Sequence, residues 1–217
     1  MATIVQTPAQ SREPAAAGPV AEQPPAASQA WGNATPLALA AFAITTLMLS
    51  LVNANVFNAG TAPAIFGVAL VVGGLTQLIA GLIQLRTGDT FHGVLFSAFG
   101  AFWMAVYFDL QFYLKEVPAA QAGHAMAMLL IAFGVFAALM FAVSFRTAIV
   151  VVLALLLLTA TLFVLAVGNY SANADLMKVG GVMGIVLAAM AFYLALGAMC
   201  QASYGREILW VGHLAKK

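Results

Sequence analysis

Long apolar stretches separated by short polar breaks run through this chain from residue 37 to residue 200. A helix needs about 20 mainly apolar residues to cross a bilayer, and charged or turn-forming positions divide the chain into stretches of that size. The pattern predicts six membrane-spanning helices, over residues 37-56, 64-85, 91-113, 120-143, 147-168 and 178-200. Because the connections are short, neighbouring helices are expected to pack antiparallel in one compact bundle.

The composition supports this all-α membrane fold. Hydrophobic residues make up 64% of the chain, charged residues only 7%, and the mean hydropathy is +1.01, whereas about a quarter of the residues of a soluble domain are charged. A net charge of +1, with the basic residues spread singly, creates no field that would attract nucleic acid. The lipid bilayer is therefore the expected environment, and nucleic acid is excluded as a partner.

Residues 1-30 differ from the rest of the chain because they are rich in Ala, Pro, Gln and Ser. Such a segment buries too little apolar surface to offset its chain entropy, and it has no basic start followed by an apolar block, as a signal peptide would. We expect a disordered cytoplasmic tail over 1-30, a six-helix transmembrane domain over 31-205, and a short cytoplasmic C-terminal tail over 206-217.

The basic residues predict the orientation in the membrane. With a cytoplasmic N-terminus, the inner segments hold six Lys or Arg residues and the outer loops hold only Lys115 and Lys178. This asymmetry satisfies the positive-inside rule. Both termini are expected to face the cytoplasm, with the protein in the plasma membrane.

Polar residues within the predicted helices share faces. Helical spacing places Thr46, Ser50 and Asn53 on one face of the first span, and Gln77 and Gln84 on one face of the second. Amides and hydroxyls in hydrocarbon need partners, so both faces should point into the bundle. They either make hydrogen bonds between helices or line a hydrophilic path, and the sequence leaves both interpretations open.

The start of the first span has the residue types of a helix N-terminus. Thr35 is expected to be the N-cap, with Pro36 as the first helical residue. Such an end presents free N–H groups and a partial positive charge, which attract anions such as carboxylates. An ordinary cap without a ligand is the alternative.

Ionisable groups are scarce inside the predicted spans. No Lys or Arg lies deep in any of them, Asp109 lies near the end of the third, and His124 opens the fourth. A carboxylate would therefore meet no counter-charge at mid-bilayer, where an ion costs from a few to more than about 10 kcal/mol. A permeating acid must use neutral hydrogen-bond donors or travel in its protonated form. Asp109 and His124 could exchange protons, although solvated positions at the interface explain both residues as well.

Signatures of enzymes and of metal sites are missing from the sequence. His92, His124 and His213 lie in unrelated segments, and no paired-Cys or His-x-x-x-His spacing occurs. We expect no catalytic residues, no metal and no cofactor.

Several motifs resemble those of the acetate uptake transporter family, the acetate and succinate permeases of microbes. Asn33-Ala34-Thr35-Pro36-Leu37-Ala38-Leu39 is similar to the family's N-P-A-P-L-G-L, and Gly73-Gly74-Leu75-Thr76-Gln77 is similar to its G-G-x-x-Q. Further similar motifs occur in the expected order at residues 88–91, 99–103, 168–173 and 193–197. The sequence differs from the family pattern at Ala34, Thr35, Ala38, Phe99, Gln84 and Ala198.

The resemblance implies a six-helix protomer similar to the urea channels, assembled as a ring of six with one path through each protomer. It implies a substrate that is acetate or a similar short carboxylate, succinate among them, moved together with protons. By position, Phe42, Phe99 and Leu158 would form an apolar constriction. The other residues that it places on the path or at the substrate are Asn33, Thr35, Leu39, Thr45, Thr46, Gln77, Phe102, Asn169 and Ala191, the last beside the path where side-chain volume sets substrate size.

Two alternative functions remain open at this point. The lack of charge within the membrane also suits a channel for a small neutral solute such as ammonia or urea. A relative that has lost transport and serves in membrane assembly or signalling, with the Pro-rich tail as its contact, is the third hypothesis.

Overall fold

A computed structural model describes residues 31–214, which form helices and turns without a β-strand. The predictions made for residues 1-30 and 215–217 lie outside the described residues. The helices are α1 Thr35–Asn53, α2 Pro63–Val68, α3 Gln77–Arg86, α4 Thr90–Gln111, α5 Ala122–Val143, α6 Ile149–Tyr170 and α7 Ala174–Tyr204. A π-helical segment, Ala69–Thr76, joins α2 to α3 and makes them one continuous span.

Within residues 31–214, six helical stretches are long and apolar enough to cross a membrane, as the sequence predicted. The protein is a multi-pass membrane protein with an all-helical fold. The predicted bounds differ most in the last span, predicted as 178-200, because α7 begins at Ala174 and ends at Tyr204. Polar residues near its ends belong to the helix although they lie outside the apolar stretch.

Side-chain caps and glycines fix where the helices begin and end. Asp89 accepts a hydrogen bond from the His92 N–H at 3.1 Å at the start of α4. Asn173 accepts from two backbone N–H groups, each at 3.0 Å, at the start of α7. These caps satisfy N–H groups that have no partner within the helix. Gly205 ends α7 with a φ of 66°, a left-handed conformation that glycine adopts without steric cost.

The helices pack as an antiparallel bundle in which α1 lies against α7 and α3 against α4. The beginnings of α1, α4 and α6 and the ends of α3 and α7 share one end of the bundle, called here the α1 end. Aromatic side chains fill the centre, where Phe99 lies 5.8 Å from Phe102, centroid to centroid. Large apolar residues such as Leu139 and Leu153 are exposed on the outside, which suits contact with lipid.

Glycines allow close approach of span two to its neighbours. A Cβ atom added at Gly73 would lie 2.7 Å from Thr45 Oγ1 and 2.8 Å from Trp103 Cγ. Both neighbours are buried. Gly73 therefore sets the distance at which α1 and α4 pack against the π-helical segment.

Gly73→Ala is expected to destabilise the protein by about 1–3 kcal/mol, because the added methyl group overpacks this contact. Gly67→Ala is the matched control, since it lies in the same span with nothing within 4 Å of its Cβ position. Thermal unfolding in detergent measures the difference. Equal midpoints for the two variants would show that the contact relaxes without cost.

Candidate functional site

A cavity of about 950 Å³ begins at the α1 end and reaches into the bundle; we call it the vestibule. Its wall includes side chains of α1, α3, α4, α6 and α7, and of the segment that follows α7. Its mouth contains Asn33, Asp89, Arg146 and Arg206, at helix ends, and its interior is mainly apolar. The vestibule is large enough for a small organic solute.

The vestibule stops where each helix contributes its innermost wall residue. On α1 the wall includes Leu39 and Phe42 but neither Thr45 nor Thr46, which lie further along the helix. On α3, α4, α6 and α7 the innermost wall residues are Gln77, Phe99, Leu158 and Leu187. Together with Phe42 they form what we call the closed end.

The three predicted constriction residues meet at this closed end. Phe42, Phe99 and Leu158 are 8%, 1% and 7% exposed. The Phe42 and Phe99 rings pack edge to face with their centroids 6.1 Å apart, a favourable aromatic geometry. Phe133 and Phe136 of α5 support Phe99 from behind, each at 5.8 Å. Phe42, Phe99 and Leu158 are called here the apolar ring. Phe99 of this apolar ring packs against aromatic side chains that do not line the vestibule.

Gln77 is the polar residue of the closed end. Its side chain is 1% exposed, and its Oε1 has no hydrogen-bond partner among the described residues. A buried acceptor without a partner costs about 1–3 kcal/mol. A solute that donates a hydrogen bond to Oε1 would recover that energy.

The π-helical segment immediately precedes Gln77. Thr76 Oγ1 donates to the Val71 carbonyl at 2.9 Å, five residues earlier, as the wider turn allows. A change of helical pitch alters the angular position of every residue after it, and such turns occur frequently at functional sites. The segment thus sets the direction in which Gln77 leaves the helix.

A second buried amide, that of Gln84, has partners at the mouth. Its Nε2 donates to Asn33 Oδ1 at 3.0 Å and to Thr35 Oγ1. Thr87 Oγ1 donates to Gln84 Oε1 at 3.3 Å. Of the two glutamines on this face, Gln84 therefore joins α3 to the start of α1, whereas Gln77 keeps a free acceptor.

The predicted cap of α1 is wrong by one residue. The N-cap is Ala34, which has no side-chain hydrogen bond to offer, and Thr35 is already helical. Asn33 takes the capping role instead, because its Oδ1 accepts from the Thr35 N–H at 2.9 Å. The Thr35 hydroxyl is then available to accept from Gln84.

The structure brings together eight of the twelve residues that the resemblance placed on the path. Asn33, Thr35, Leu39, Phe42, Gln77, Phe99, Leu158 and Ala191 all line the vestibule.

The other four lie outside its wall. The Thr45 hydroxyl donates to the Ala41 carbonyl at 3.0 Å, and Phe102 packs on Phe133 with centroids 4.8 Å apart. Asn169 Nδ2 donates to the Leu165 carbonyl at 2.8 Å, near the end of α6. Thr46 lies one turn beyond Phe42, and its Oγ1 has no partner among residues 31–214. The roles of these four residues in transport stay predictions.

The ionisable groups at the mouth were not predicted from the sequence. Besides Arg146 and Arg206, the wall includes Asp89, His92, Glu207 and His213. All of them adjoin helix ends at the α1 end, and all but His92 lie in the predicted connections or C-terminal tail, which was the available signal. Within the part of the chain that the structure describes, no three His, Cys, Asp or Glu residues group closely enough to hold a metal ion.

Six membrane helices around a solute-sized vestibule with an apolar closed end define the class of membrane channels and transporters. The chain belongs to the GPR1/FUN34/yaaH family, which matches it over residues 17–210. This result confirms the family resemblance noted in the motifs.

Individual relatives agree with the family assignment. The chain is 32% identical to the succinate-acetate/proton symporter SatP of Escherichia coli K12 over 183 residues, covering 83% of this chain and 95% of the relative. It is 28% identical to acetate permease A of Emericella nidulans, covering 84% and 66%. It is 30% identical to the ammonia transport outward protein 2 of Saccharomyces cerevisiae, covering 78% and 62%.

A solved structure extends the agreement to the fold. The structure of the bacterial acetate channel SatP superposes with a TM-score of 0.77 at 31% identity, covering 84% of this chain and all of that one. The six-helix bundle described above is thus the fold of a known channel.

Proposed function

We propose that this protein carries acetate and similar short carboxylates, succinate among them, across the cell membrane. The single observation that carries the proposal is the closed end, where Phe42, Phe99 and Leu158 line the same cavity as Gln77, whose Oε1 is buried and has no hydrogen-bond partner among residues 31–214. The names of the bacterial and fungal relatives support the same substrate class. We infer transport without a chemical step on the substrate.

The chemistry of the closed end favours the neutral acid. Gln77 Oε1 accepts a hydrogen bond, which an ionised carboxylate cannot donate, whereas the Nε2–H₂ group of the same amide can donate to either form of the acid. A protonated carboxylic acid instead donates its O–H to Oε1. The apolar ring formed by Phe42, Phe99 and Leu158 removes water from a passing solute, which opposes an ion far more than a neutral molecule. A proton would thus travel with each acid, bound to the substrate rather than to a side chain.

Only a small fraction of the acid is in this form at neutral pH. A carboxylic acid with a pKa of about 4 is about one-thousandth protonated at pH 7. Flux is therefore expected to rise steeply as the pH falls on the side of the membrane from which the acid is taken up. The direction of net transport would be set by the gradients of acid and of protons.

The proposal includes an orientation and an assembly. The α1 end, with the vestibule, faces the cytoplasm, and so do both termini, in agreement with the distribution of basic residues. Six protomers form a ring, each with its own path, as the family resemblance implies. Thr45, Thr46, Phe102 and Asn169 belong to the proposal as residues on or beside the path beyond the closed end.

A channel for ammonia is the second candidate, and two observations favour it. One relative is named an ammonia transport outward protein. Ammonia also donates N–H groups, so Gln77 Oε1 could accept from it as well as from an acid. The same argument extends to urea.

Flux into proteoliposomes that contain the purified protein separates these functions. We expect saturable uptake of labelled acetate that rises as the outside is acidified, and no comparable uptake of urea or methylammonium, the latter standing in for ammonia. Saturable flux of a neutral or ammonia-like solute without acetate flux would establish the second candidate. Absence of saturable flux for every solute would favour the non-transporting alternative.

A further inference from the structure

The mouth of the vestibule concentrates the ionisable side chains of the wall. Six of them line it: Asp89, His92, Arg146, Arg206, Glu207 and His213. They come from three places in the chain, namely the start of α4, the turn before α6, and the segment after α7. The mouth is thus polar, in contrast to the apolar closed end.

Both acidic side chains of the mouth already have partners. Asp89 Oδ2 lies 2.7 Å from His92 Nδ1, and its other oxygen caps α4. Glu207 Oε2 lies 3.3 Å from His213 Nε2, and its Oε1 accepts from the Val211 N–H at 3.5 Å. The negative charges of the mouth are therefore held by neighbouring donors.

The two arginines have no such partner. Neither Arg146 nor Arg206 has a carboxylate oxygen within 4.0 Å among residues 31–214. Both side chains are exposed and line the vestibule. The mouth therefore combines two acids that are already hydrogen-bonded to neighbouring groups with two arginines that have no carboxylate partner among residues 31–214.

The segment after α7 brings the arginines to one side of the mouth. Its backbone bonds to the start of α6, with Ile149 N–H to the Gly212 carbonyl at 2.8 Å and Leu214 N–H to the Thr147 carbonyl at 2.9 Å. Arg146 directly precedes Thr147. Arg206 precedes Glu207, which contacts His213 and so folds the segment back on itself. Both arginines thus belong to the same small folded unit.

We propose that Arg146 and Arg206 form an anion-binding site that captures ionised carboxylates at the mouth. The guanidinium group matches a carboxylate with two parallel hydrogen bonds, and its charge does not depend on pH in the physiological range. The site deepens the proposed carboxylate function and rests on it for the identity of the ligand. It raises the local concentration of the abundant ionised form, while the closed end passes the scarce neutral form.

Binding to the full-length protein in detergent tests this site without requiring transport. Line broadening of ¹³C-acetate and ¹³C-succinate signals measures binding, with sodium chloride added to keep the ionic strength constant. We expect Arg146→Gln and Arg206→Gln each to weaken binding about three- to tenfold, as loss of a charge-assisted hydrogen bond at an exposed position would. Raising the salt concentration should weaken binding to the unmodified protein.

Arg86→Gln is the matched control. Arg86 is exposed at the end of α3, on the same side of the bundle, but it does not line the vestibule. Arg86→Gln removes the same charge but leaves the proposed site intact, so only long-range attraction is lost. Carboxylate binding should therefore stay within about twofold of that of the unmodified protein. Elution volume and thermal midpoint confirm that each variant is folded.

The outcomes separate this site from the proposed function. If all three arginine variants bind carboxylates equally well, the two-arginine site is refuted, whatever the flux measurements show. Arginine-dependent binding without acetate flux would keep the site and refute transport. Arginine-dependent binding together with flux that Gln77→Leu removes would support both.

Discussion

Gln77→Leu is expected to lower saturable acetate uptake about 10- to 100-fold, because it removes the hydrogen-bond acceptor of the closed end. Leucine is similar in size and apolar, so the ring around it keeps its shape. A carboxylic acid O–H that enters the ring would then lose its partner, at a cost of about 1–3 kcal/mol. Initial rates of labelled acetate uptake into proteoliposomes, with the outside acidified, measure the loss.

Gln201→Leu is the control for this substitution. Gln201 also lines the vestibule, but it is exposed near the end of α7, where water can replace its hydrogen bonds. Its uptake rate should match that of the unmodified protein. Normal uptake by Gln77→Leu would mean that the acid crosses without this amide, and the role proposed for Gln77 would be wrong.

Phe42→Ala is expected to open the closed end to ions. Removing the Phe42 phenyl group lets water reach past Phe99 and Leu158. A carboxylate then no longer has to shed its hydration shell, a step that costs from a few to more than about 10 kcal/mol. Acetate flux should then depend much less on acidification, and ionic conductance should rise about tenfold or more. Planar bilayer currents and uptake at two external pH values measure these changes.

Stability must be followed for this variant, because deleting a buried Phe costs about 3–5 kcal/mol. Phe42→Leu is the milder second variant and should show a smaller shift in the same direction. Trp103→Ala controls for lost packing, since Trp103 is 3% exposed, does not line the vestibule and is not among the proposed path residues. Conductance that rises equally in Phe42→Ala and Trp103→Ala would show that general loosening of the core, rather than loss of the Phe42 side chain, is responsible.

The membrane fold was predictable because a bilayer demands long apolar helices and leaves a strong signal in hydropathy. The six spans follow from that signal alone. Boundaries were less predictable. The start of α1 depends on whether Asn33 or Thr35 supplies the capping side chain, and both residue types suit that role. The additional turn of α7 before Lys178 depends on the Asn173 side chain, which is a local hydrogen bond rather than a hydropathy feature.

The site was predictable only in part, because helical spacing reveals a face but not the partners of each side chain. Gln77 and Gln84 share a face and a residue type, so the sequence alone assigns them the same role. Their difference arises from Asn33 and Thr35, about fifty positions earlier, which meet Gln84 and not Gln77. The family resemblance named Phe42, Phe99 and Leu158 together by position, and all three line the vestibule, while their role as a constriction stays a prediction. The arginines of the mouth stayed hidden because their common location depends on the backbone pairing of Ala148 with His213.

The hydrogen bonds of Gln84 join two positions, 35 and 84, at which this chain departs from the family pattern. The family motif has alanine where this chain has Thr35. The Gln84 amide donates to Asn33 Oδ1 and to the Thr35 hydroxyl, whereas an ionised carboxylate has no hydrogen to donate and would repel both oxygens. The contact between α3 and the start of α1 is therefore neutral in this chain, and it depends on a hydrogen-bond donor at position 84.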